Sequence, residues 1–241
     1  SDLPFQRVLQ FNACLCHFRP QAVQELGSLP RPGPLARHLG EGGGGVPGLL
    51  VDRLRASEDG RIDTRLLEDA ADQMARAFDI RHGGFGTAPK FPHPAACEFL
   101  LARWRDTGLD WPREVVEKTL TGMARGGIRD HVGGGFHRYS VDERWIVPHF
   151  EKMSYDNSEL LRAYLDGYAA LGDPLFKRVA AGIVDWVLEV LADGARGAFH
   201  TSQDADVAFG DDGDYWTWTQ DEAKAALSDR EFDCVRRVFD L

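Results

Sequence analysis

The 241-residue sequence lacks any long apolar run and carries fewer positive than negative side chains. No run approaches the roughly 18 apolar residues that a membrane-spanning helix needs. The amino terminus also lacks the basic and then apolar segments of a secretory signal. With 28 Lys and Arg against 38 Asp and Glu, the formal charge is −10. Because an acidic surface repels phosphate backbones, we expect no nucleic-acid partner. Without an apolar run of spanning length, we also expect no membrane partner.

Cysteine is scarce, with four residues and no CxxC pair. Cys14 and Cys16 are two positions apart beside His17, which is an insufficient set of zinc ligands. Cys97 and Cys234 fall within helical patterns, so we expect both to be small buried hydrophobes. This usage predicts a reducing compartment, hence the cytoplasm. We expect no bound metal and no cofactor.

The first 60 residues differ in composition from the rest of the chain. The segment 27–48 consists mostly of Gly, Pro and Arg, which cannot bury enough apolar surface to offset chain entropy. We therefore expect residues 1–60 to be a linker or the remnant of a preceding domain. The folded part is predicted to span residues 61–241.

From residue 63 onward, apolar side chains recur at helical spacing. Pro112 and Pro174 suit first helical turns, Gly172 suits a helix end, and capping boxes begin at Thr219 and Ser228. These signals predict helices at roughly 64–79, 94–106, 112–125, 155–171, 175–192, 219–227 and 229–239.

Tight turns alternate with long loops between these helices. Because helices joined by tight turns are antiparallel neighbours, an up-and-down path places all the long loops on one face. Each long loop carries a glycine-rich phrase that ends in Phe85, Phe136 or Phe199, which lie 51 and then 63 residues apart. A period of this size, one unit per helical hairpin, indicates a repeat architecture.

A helical hairpin must cover its apolar face with a neighbour, and a closed ring of six hairpins does so. The sequence holds about three hairpins and the start of a fourth. We therefore predict an all-α fold, the amino-terminal half of an α/α toroid. The missing remainder of the ring, or self-association across open ring edges, would cover the rest.

Residues 130–157 are unusual for a loop because they concentrate histidines, carboxylates and aromatic rings. Aromatic platforms beside convergent polar groups are what a sugar-sized ligand needs. The run GGGFHRYSVDERWIVPHFEKMSYDN, starting at Gly133, resembles the signature of the YyaL family of thioredoxin-domain-containing proteins, whose animal members are called spermatogenesis-associated. GGFGTAPKFPHP from Gly83, QDAD from Gln203 and YWTW from Tyr215 resemble further blocks in the same order.

This resemblance covers about residues 61–241. It implies an amino-terminal thioredoxin-like domain followed by an α/α six-hairpin toroid, similar to N-acylglucosamine 2-epimerases and some glycoside hydrolases. Here the family's CxxC-His motif is replaced by Cys14-Leu-Cys16-His17, Ser154 stands where an apolar residue is usual, and residues 207–213 keep only the acidity and glycines of the family's version. The thioredoxin domain is thus absent or altered.

We predict a protein that binds or processes a sugar-like ligand. Glycoside hydrolysis would need two flanking carboxyl groups, whereas epimerisation would need acid/base groups with a pKa near neutrality, such as His137 and His149. The candidate catalytic residues are His137, Asp142, His149, Glu151 and Asp156. The candidate ligand-binding residues are Arg138, Tyr139, Trp145, Lys152, Asn157, Asp204, Asp206 and Trp218.

Two other interpretations remain open at this point. In one, the toroid is a non-catalytic docking scaffold for a thioredoxin-linked redox or partner-binding protein, and its loop face would be flat and apolar. In the other, the aspartates between 204 and 214 bind calcium. The fifth and twelfth positions of an EF-hand would be Ala208 and Tyr215, which cannot serve as the required ligands, so a solvated acidic loop is favoured.

Overall fold

The computed structural model describes residues 65–206 and 213–239. The interpretation of residues 1–60, including Cys14, Cys16 and His17, lies outside this part of the chain. The first helix, α1 (Arg65–Ala77), belongs to one compact unit, and the residues from Asp79 onward belong to another. All that follows concerns the second unit.

Four helices form its core: α2 (Pro94–Thr107), α3 (Asp110–Arg125), α4 (Ser154–Leu171) and α5 (Pro174–Trp186). Helix α2 packs on α3 and α4, and α5 packs on α3 and α4. The predicted tight turns connect α2 to α3 and α4 to α5. In both turns a glycine with a left-handed backbone ends the helix, and the Asp173 carboxylate caps α5 by accepting from the Leu175 N–H.

The helix predicted to reach residue 192 changes character before its end. After Trp186 the chain continues as a π-helical segment, Val187–Leu191, and then enters β2 (Ala192–Asp193). The spacing of apolar residues does not distinguish this wider helix from an α-helix. Two further helices, α6 (Gln220–Ala226) and α7 (Asp229–Phe239), follow the predicted capping residues, and Thr219 and Glu222 form a reciprocal capping box.

The interior of the unit is apolar, as the helical pattern requires. Buried side chains include Leu100, Leu120, Leu160, Tyr164 and Trp186. Cys97 is buried as expected, but Cys234 is exposed, so the expectation for Cys234 was wrong. It lies on α7, a short helix whose charged residues face solvent on most sides. No helix within 65–206 or 213–239 is long and apolar enough to cross a membrane.

Three long loops meet at one end of the helices, which confirms their predicted placement. They are the first loop (79–93), the signature loop (126–153) and the third loop (192–219, described except for 207–212). Main-chain hydrogen bonds join Lys90 of the first loop to Ser140 of the signature loop in both directions. The two-residue strands β1 (Lys152–Met153) and β4 (Ser202–Gln203) then pair antiparallel and join the signature loop to the third. Strand β2 pairs with β3 (Ala198–Phe199) within the third loop.

Candidate functional site

All three loops begin with the same aspartate-centred turn. The aspartate carboxylate accepts from the main-chain N–H groups two and three residues later, at 2.7–3.1 Å. Its carbonyl oxygen accepts from the N–H four residues later. In each loop this aspartate stands six residues before the phenylalanine, as the pairs Asp79 and Phe85, Asp130 and Phe136, and Asp193 and Phe199. Sequence reasoning found the phenylalanines but missed this aspartate, although the constant spacing was visible.

In the first two loops a buried lysine holds the turn. Lys90 Nζ lies 2.6 Å from Asp79 Oδ2, donates to the Glu143 carbonyl at 2.8 Å and sits over the Trp145 ring at 5.1 Å. Burial alone would raise the pKa of the Asp79 carboxyl. The Lys90 ammonium and the N–H groups of His82 and Arg81 instead hold that pKa well below its usual range.

Lys152 repeats this arrangement in the signature loop. Its Nζ lies 2.6 Å from Asp130 Oδ2 and 2.8 Å from the Gly134 carbonyl, and it sits over the ring of Trp216 at 4.6 Å. Its side chain is only 1% exposed, so Lys152 is unable to reach a ligand in this conformation. In the third loop the corresponding partner of Asp193 is Arg196, whose side chain is 80% exposed.

Two other predicted residues, Asn157 and Asp142, also support the loops from within. Asn157 is buried, accepts from the Phe136 N–H at 2.7 Å and donates to the Phe136 carbonyl at 2.9 Å. Asp142 accepts from the N–H groups of Arg144, Ile146 and Val147. Asn157 and Asp142, like Lys152 and Trp145, therefore stabilise the loops, whereas the sequence predicted them at the ligand site.

Trp145, predicted as a platform for a sugar, is fully buried. Its indole N–H donates to the His82 carbonyl at 3.1 Å. The ring packs so closely that a Cβ on Gly84 would come within 2.4 Å of it. With neither face exposed, Trp145 does not offer the stacking surface that was expected of it.

A hairpin within the signature loop brings four of the predicted residues together. Main-chain bonds from Arg138 N to Glu151 O and from His149 N to Tyr139 O, both 2.9 Å, pair its two arms. Arg138 Nη1 then lies 3.3 Å from Glu151 Oε2, and Arg138 Nε lies 4.0 Å from Asp156 Oδ2 in the first turn of α4. His149 Nδ1 is 4.0 Å from Glu151 Oε2. We call Arg138, His149, Glu151 and Asp156 the Arg138 cluster.

Two atoms of this cluster, and one beside it, are buried without a hydrogen-bond partner. Among the described residues, Asp156 Oδ2, His149 Nδ1 and His137 Nδ1 form no hydrogen bond. Buried polar atoms are normally paired, because leaving one unpaired costs about 1–3 kcal/mol. Three such atoms on adjacent segments mark a place where a polar ligand would satisfy the protein.

Burial raises the pKa of Asp156 and lowers the pKa of His137, because in each case it disfavours the charged form. Desolvation raises the pKa of the Asp156 carboxyl to about 6, and the Arg138 charge offsets it only in part. Desolvation, followed by the positive charge of Lys152, lowers the pKa of His137 to about 4. At neutral pH His137 is therefore neutral, while Asp156 exchanges its proton readily.

Aromatic rings flank the cluster on two sides. Tyr139 stacks on His149 with ring centroids 4.8 Å apart, and Phe91 lies 4.9 Å beyond Tyr139. On the other side, His137 meets the edge of Trp216 at 4.9 Å. Phe91 is 41% exposed, so an apolar surface borders the polar groups.

The predicted site residues of the third loop make no described contact with the Arg138 cluster. Asp204, Asp206 and Trp218 are exposed, and within the described part of the chain no hydrogen bond or ion pair joins them to it. The calcium interpretation rests partly on residues 207–212, which lie outside the described residues. Within residues 65–206 and 213–239, no three His, Cys, Asp or Glu side chains are grouped so that they could hold a metal ion.

Comparisons with known proteins give both relatives and a similar fold. No family model matches the chain. Human spermatogenesis-associated protein 20 is 42% identical over 164 residues, covering 64% of this chain but 21% of the human protein. An uncharacterised Caenorhabditis elegans protein is 33% identical over 215 residues, covering 80% of this chain and 28% of its own length. The chain thus spans only 21% and 28% of the length of these two relatives.

The cellobiose 2-epimerase of Bacillus thermoamylovorans has a similar structure, with a TM-score of 0.50 and 14% sequence identity. The match covers 58% of this chain and 40% of that protein. At this identity the likeness shows the fold alone. The chain is therefore an all-α protein with the architecture of a partial α/α toroid, as the hairpin pattern predicted.

Proposed function

We propose that this chain belongs to the YyaL and spermatogenesis-associated protein family, and that its Arg138 cluster binds a sugar-like ligand and moves a proton on it. The identity to the human protein and the order of the three sequence blocks support the family assignment. The likeness to a sugar epimerase fold supports the ligand class.

One observation carries the site: the Asp156 carboxyl, whose pKa is near 6, has a buried oxygen without a hydrogen-bond partner, and two nearby histidines of the signature loop each have such a nitrogen. A group titrating near the working pH can both accept and donate a proton, which is the property required of a general acid/base. Structural carboxylates such as Asp79 and Asp130 show the contrary behaviour, with lowered pKa values.

Each member of the cluster has a role consistent with its geometry. Asp156, in the first turn of α4, exchanges the proton, and His149, on the second arm of the hairpin, serves as its counterpart. Arg138 lies between Glu151 and Asp156, so its guanidinium stabilises negative charge that develops on a ligand oxygen. Phe91 provides the apolar surface on which the face of a sugar ring packs.

The charge of this face favours a small ligand over the alternative of a docking scaffold. A docking surface for a folded partner is typically apolar at its centre. Here the centre holds an arginine, two carboxylates and one histidine, with His137 beside them.

The proposed reaction is epimerisation or isomerisation next to a sugar carbonyl, and deuterium exchange tests it directly. The chain is incubated in D₂O with glucose, N-acetylglucosamine or cellobiose, and proton NMR follows loss of the C2 proton. We expect exchange with the wild type and a loss of roughly a hundredfold with Asp156→Asn, which retains shape but cannot transfer the proton.

Asp166→Asn, on the exposed side of the same helix, is the matched control and should retain wild-type exchange. Saturation-transfer NMR with the same sugars measures binding separately from turnover. Absence of both binding and exchange for every sugar, in a folded wild-type chain, would overturn the proposal. Binding without exchange would restrict it to a binding protein.

A further inference from the structure

A second recess lies away from the Arg138 cluster, between α3, the first loop and the tip of the signature hairpin. It is an open depression of about 560 Å³, within the size range of small-molecule sites. Four cationic side chains line it: Arg81, Lys118, Arg125 and Arg144. In a chain with a formal charge of −10, such a local excess of positive charge does not follow from composition.

These four cations come from three separate segments. Lys118 and Arg125 are two turns apart on one face of α3, Arg81 belongs to the first loop, and Arg144 belongs to the hairpin tip. All four are exposed, and no ion pair neutralises any of them within 65–206 and 213–239. A favourable interaction with the carboxyl end of α3 would account for Arg125 alone.

The acidic groups of the recess cancel only part of this charge. Glu117 lies 3.4 Å from Arg113, an arginine outside the lining, and is thereby already partnered. Glu114 stands one turn closer to the amino end of α3. His82 is engaged by Asp79 at 3.2 Å. The end of the depression near Arg125 therefore carries the unbalanced positive charge.

The floor is close-packed and rigid. A Cβ on Gly122 would lie 2.6 Å from the His82 carbonyl and 3.4 Å from the Trp145 ring, so glycine allows the first loop to approach α3 there. Trp145 is fixed by its bond to the same carbonyl. The close packing holds the segments that carry the four cations in fixed positions, which reduces the entropy lost when an anion binds.

We propose that this recess binds the phosphoryl group of a small metabolite. A phosphoryl dianion presents several oxygens to the forked donors of three arginines, and its charge matches several cations better than a single carboxylate does. The inference concerns residues outside the Arg138 cluster and does not depend on the reaction proposed there.

Isothermal titration of the whole chain at low ionic strength tests this site, with pyrophosphate, inorganic phosphate and glucose 6-phosphate as probes and glucose and citrate as comparisons. We expect saturable binding of the phosphorylated probes that weakens with added salt. The double variant Arg125→Ala/Arg144→Ala should weaken it roughly tenfold or more, since charge-assisted hydrogen bonds are lost. Arg105→Ala/Arg178→Ala removes two exposed arginines elsewhere and should leave binding within about twofold of wild type.

If circular dichroism shows that the first variant fails to fold, a second double variant, Arg81→Gln/Lys118→Gln, tests the same site and should also weaken phosphate binding. Asp156→Asn should leave phosphate binding unchanged, which separates this site from the Arg138 cluster. Equal binding by wild type and both recess variants would overturn the proposal, as would citrate binding more tightly than pyrophosphate. Absence of saturable binding to the folded wild-type chain would also overturn it.

Discussion

At the scale of single residues, Asp156 and His137 link the site to the stability of the fold. The pKa of Asp156 is raised from 3.8 to about 6, so the folded state holds this proton more tightly and stability falls as pH rises across that window. The pKa of His137 is lowered from 6.5 to about 4, so stability instead falls as pH decreases below 6.5. Between pH 4 and 6 the two effects oppose each other.

Replacement of the Asp156 carboxyl by a neutral isostere should therefore stabilise the protein above this window. We expect Asp156→Asn to raise the free energy of unfolding at pH 7.5 by roughly 1–2 kcal/mol, after allowance for partial solvent exposure. At pH 3.5 the wild-type carboxyl is protonated, and the variant should match it. Urea unfolding at the two pH values measures this difference. Destabilisation at pH 7.5, or an equal gain at both pH values, would contradict the pKa assigned to Asp156.

At the scale of elements, the buried ion pair of Lys152 with Asp130 should contribute more to the free energy of unfolding than the exposed ion pair of Arg196 with Asp193. Lys152→Met leaves the Asp130 carboxylate without its buried partner, and we expect a loss of about 3–5 kcal/mol in unfolding free energy. Adding Asp130→Asn should recover part of that loss, because the uncompensated charge is removed. Arg196→Ala, at the matching but exposed pair of the third loop, should cost at most about 1 kcal/mol. Comparable losses for Lys152→Met and Arg196→Ala in chemical denaturation would refute this distinction.

Gly134 joins the signature loop to α5 by close backbone approach. Its φ is +78°, and a Cβ there would lie 2.6 Å from the Gly182 carbonyl, whereas a Cβ on Gly197, with φ +64°, would meet nothing within 4 Å. Both alanine variants carry the conformational cost of about 1 kcal/mol, but only Gly134→Ala adds a clash. We expect its melting temperature to fall several degrees further than that of Gly197→Ala. Equal shifts would show that the loop yields freely at this point.

Helix positions were predictable because their signals are local. Pro94, Gly108, Gly172 and the Thr219 box each mark an end within a few residues of the observed one. The contacts of the site depend instead on residues far apart in sequence, such as Lys90 with Ser140. No local pattern distinguishes a lysine that will be buried against Asp130 from one that binds a ligand. The signature loop was thus recognised as the site region, but its supporting residues were not separated from those free to act.

At the scale of the whole molecule, the cellobiose 2-epimerase toroid is much longer than the part of it that aligns with this chain. The aligned part of the chain corresponds to 40% of the cellobiose 2-epimerase structure. A polypeptide limited to these 241 residues would present hairpins at the edge of the array without the neighbours that a closed ring provides. We expect this chain to associate as its concentration rises, through the exposed edges. Sedimentation velocity from low to high micromolar concentration measures this. A single monomeric species that unfolds independently of concentration would contradict it.

The burial of Lys90 and Lys152 also gives the loop face a built-in chemical reporter. The chain has five lysines, and these two amines are 0% and 1% exposed. An acylating reagent should modify Lys118, Lys177 and Lys224 rapidly, and should modify Lys90 and Lys152 only when a loop opens. Mass spectrometry of timed labelling would then give an opening rate for each loop separately. A sugar bound at the Arg138 cluster should slow acylation of Lys152, whose opening disrupts β1, while a ligand in the recess beside Trp145 should slow acylation of Lys90.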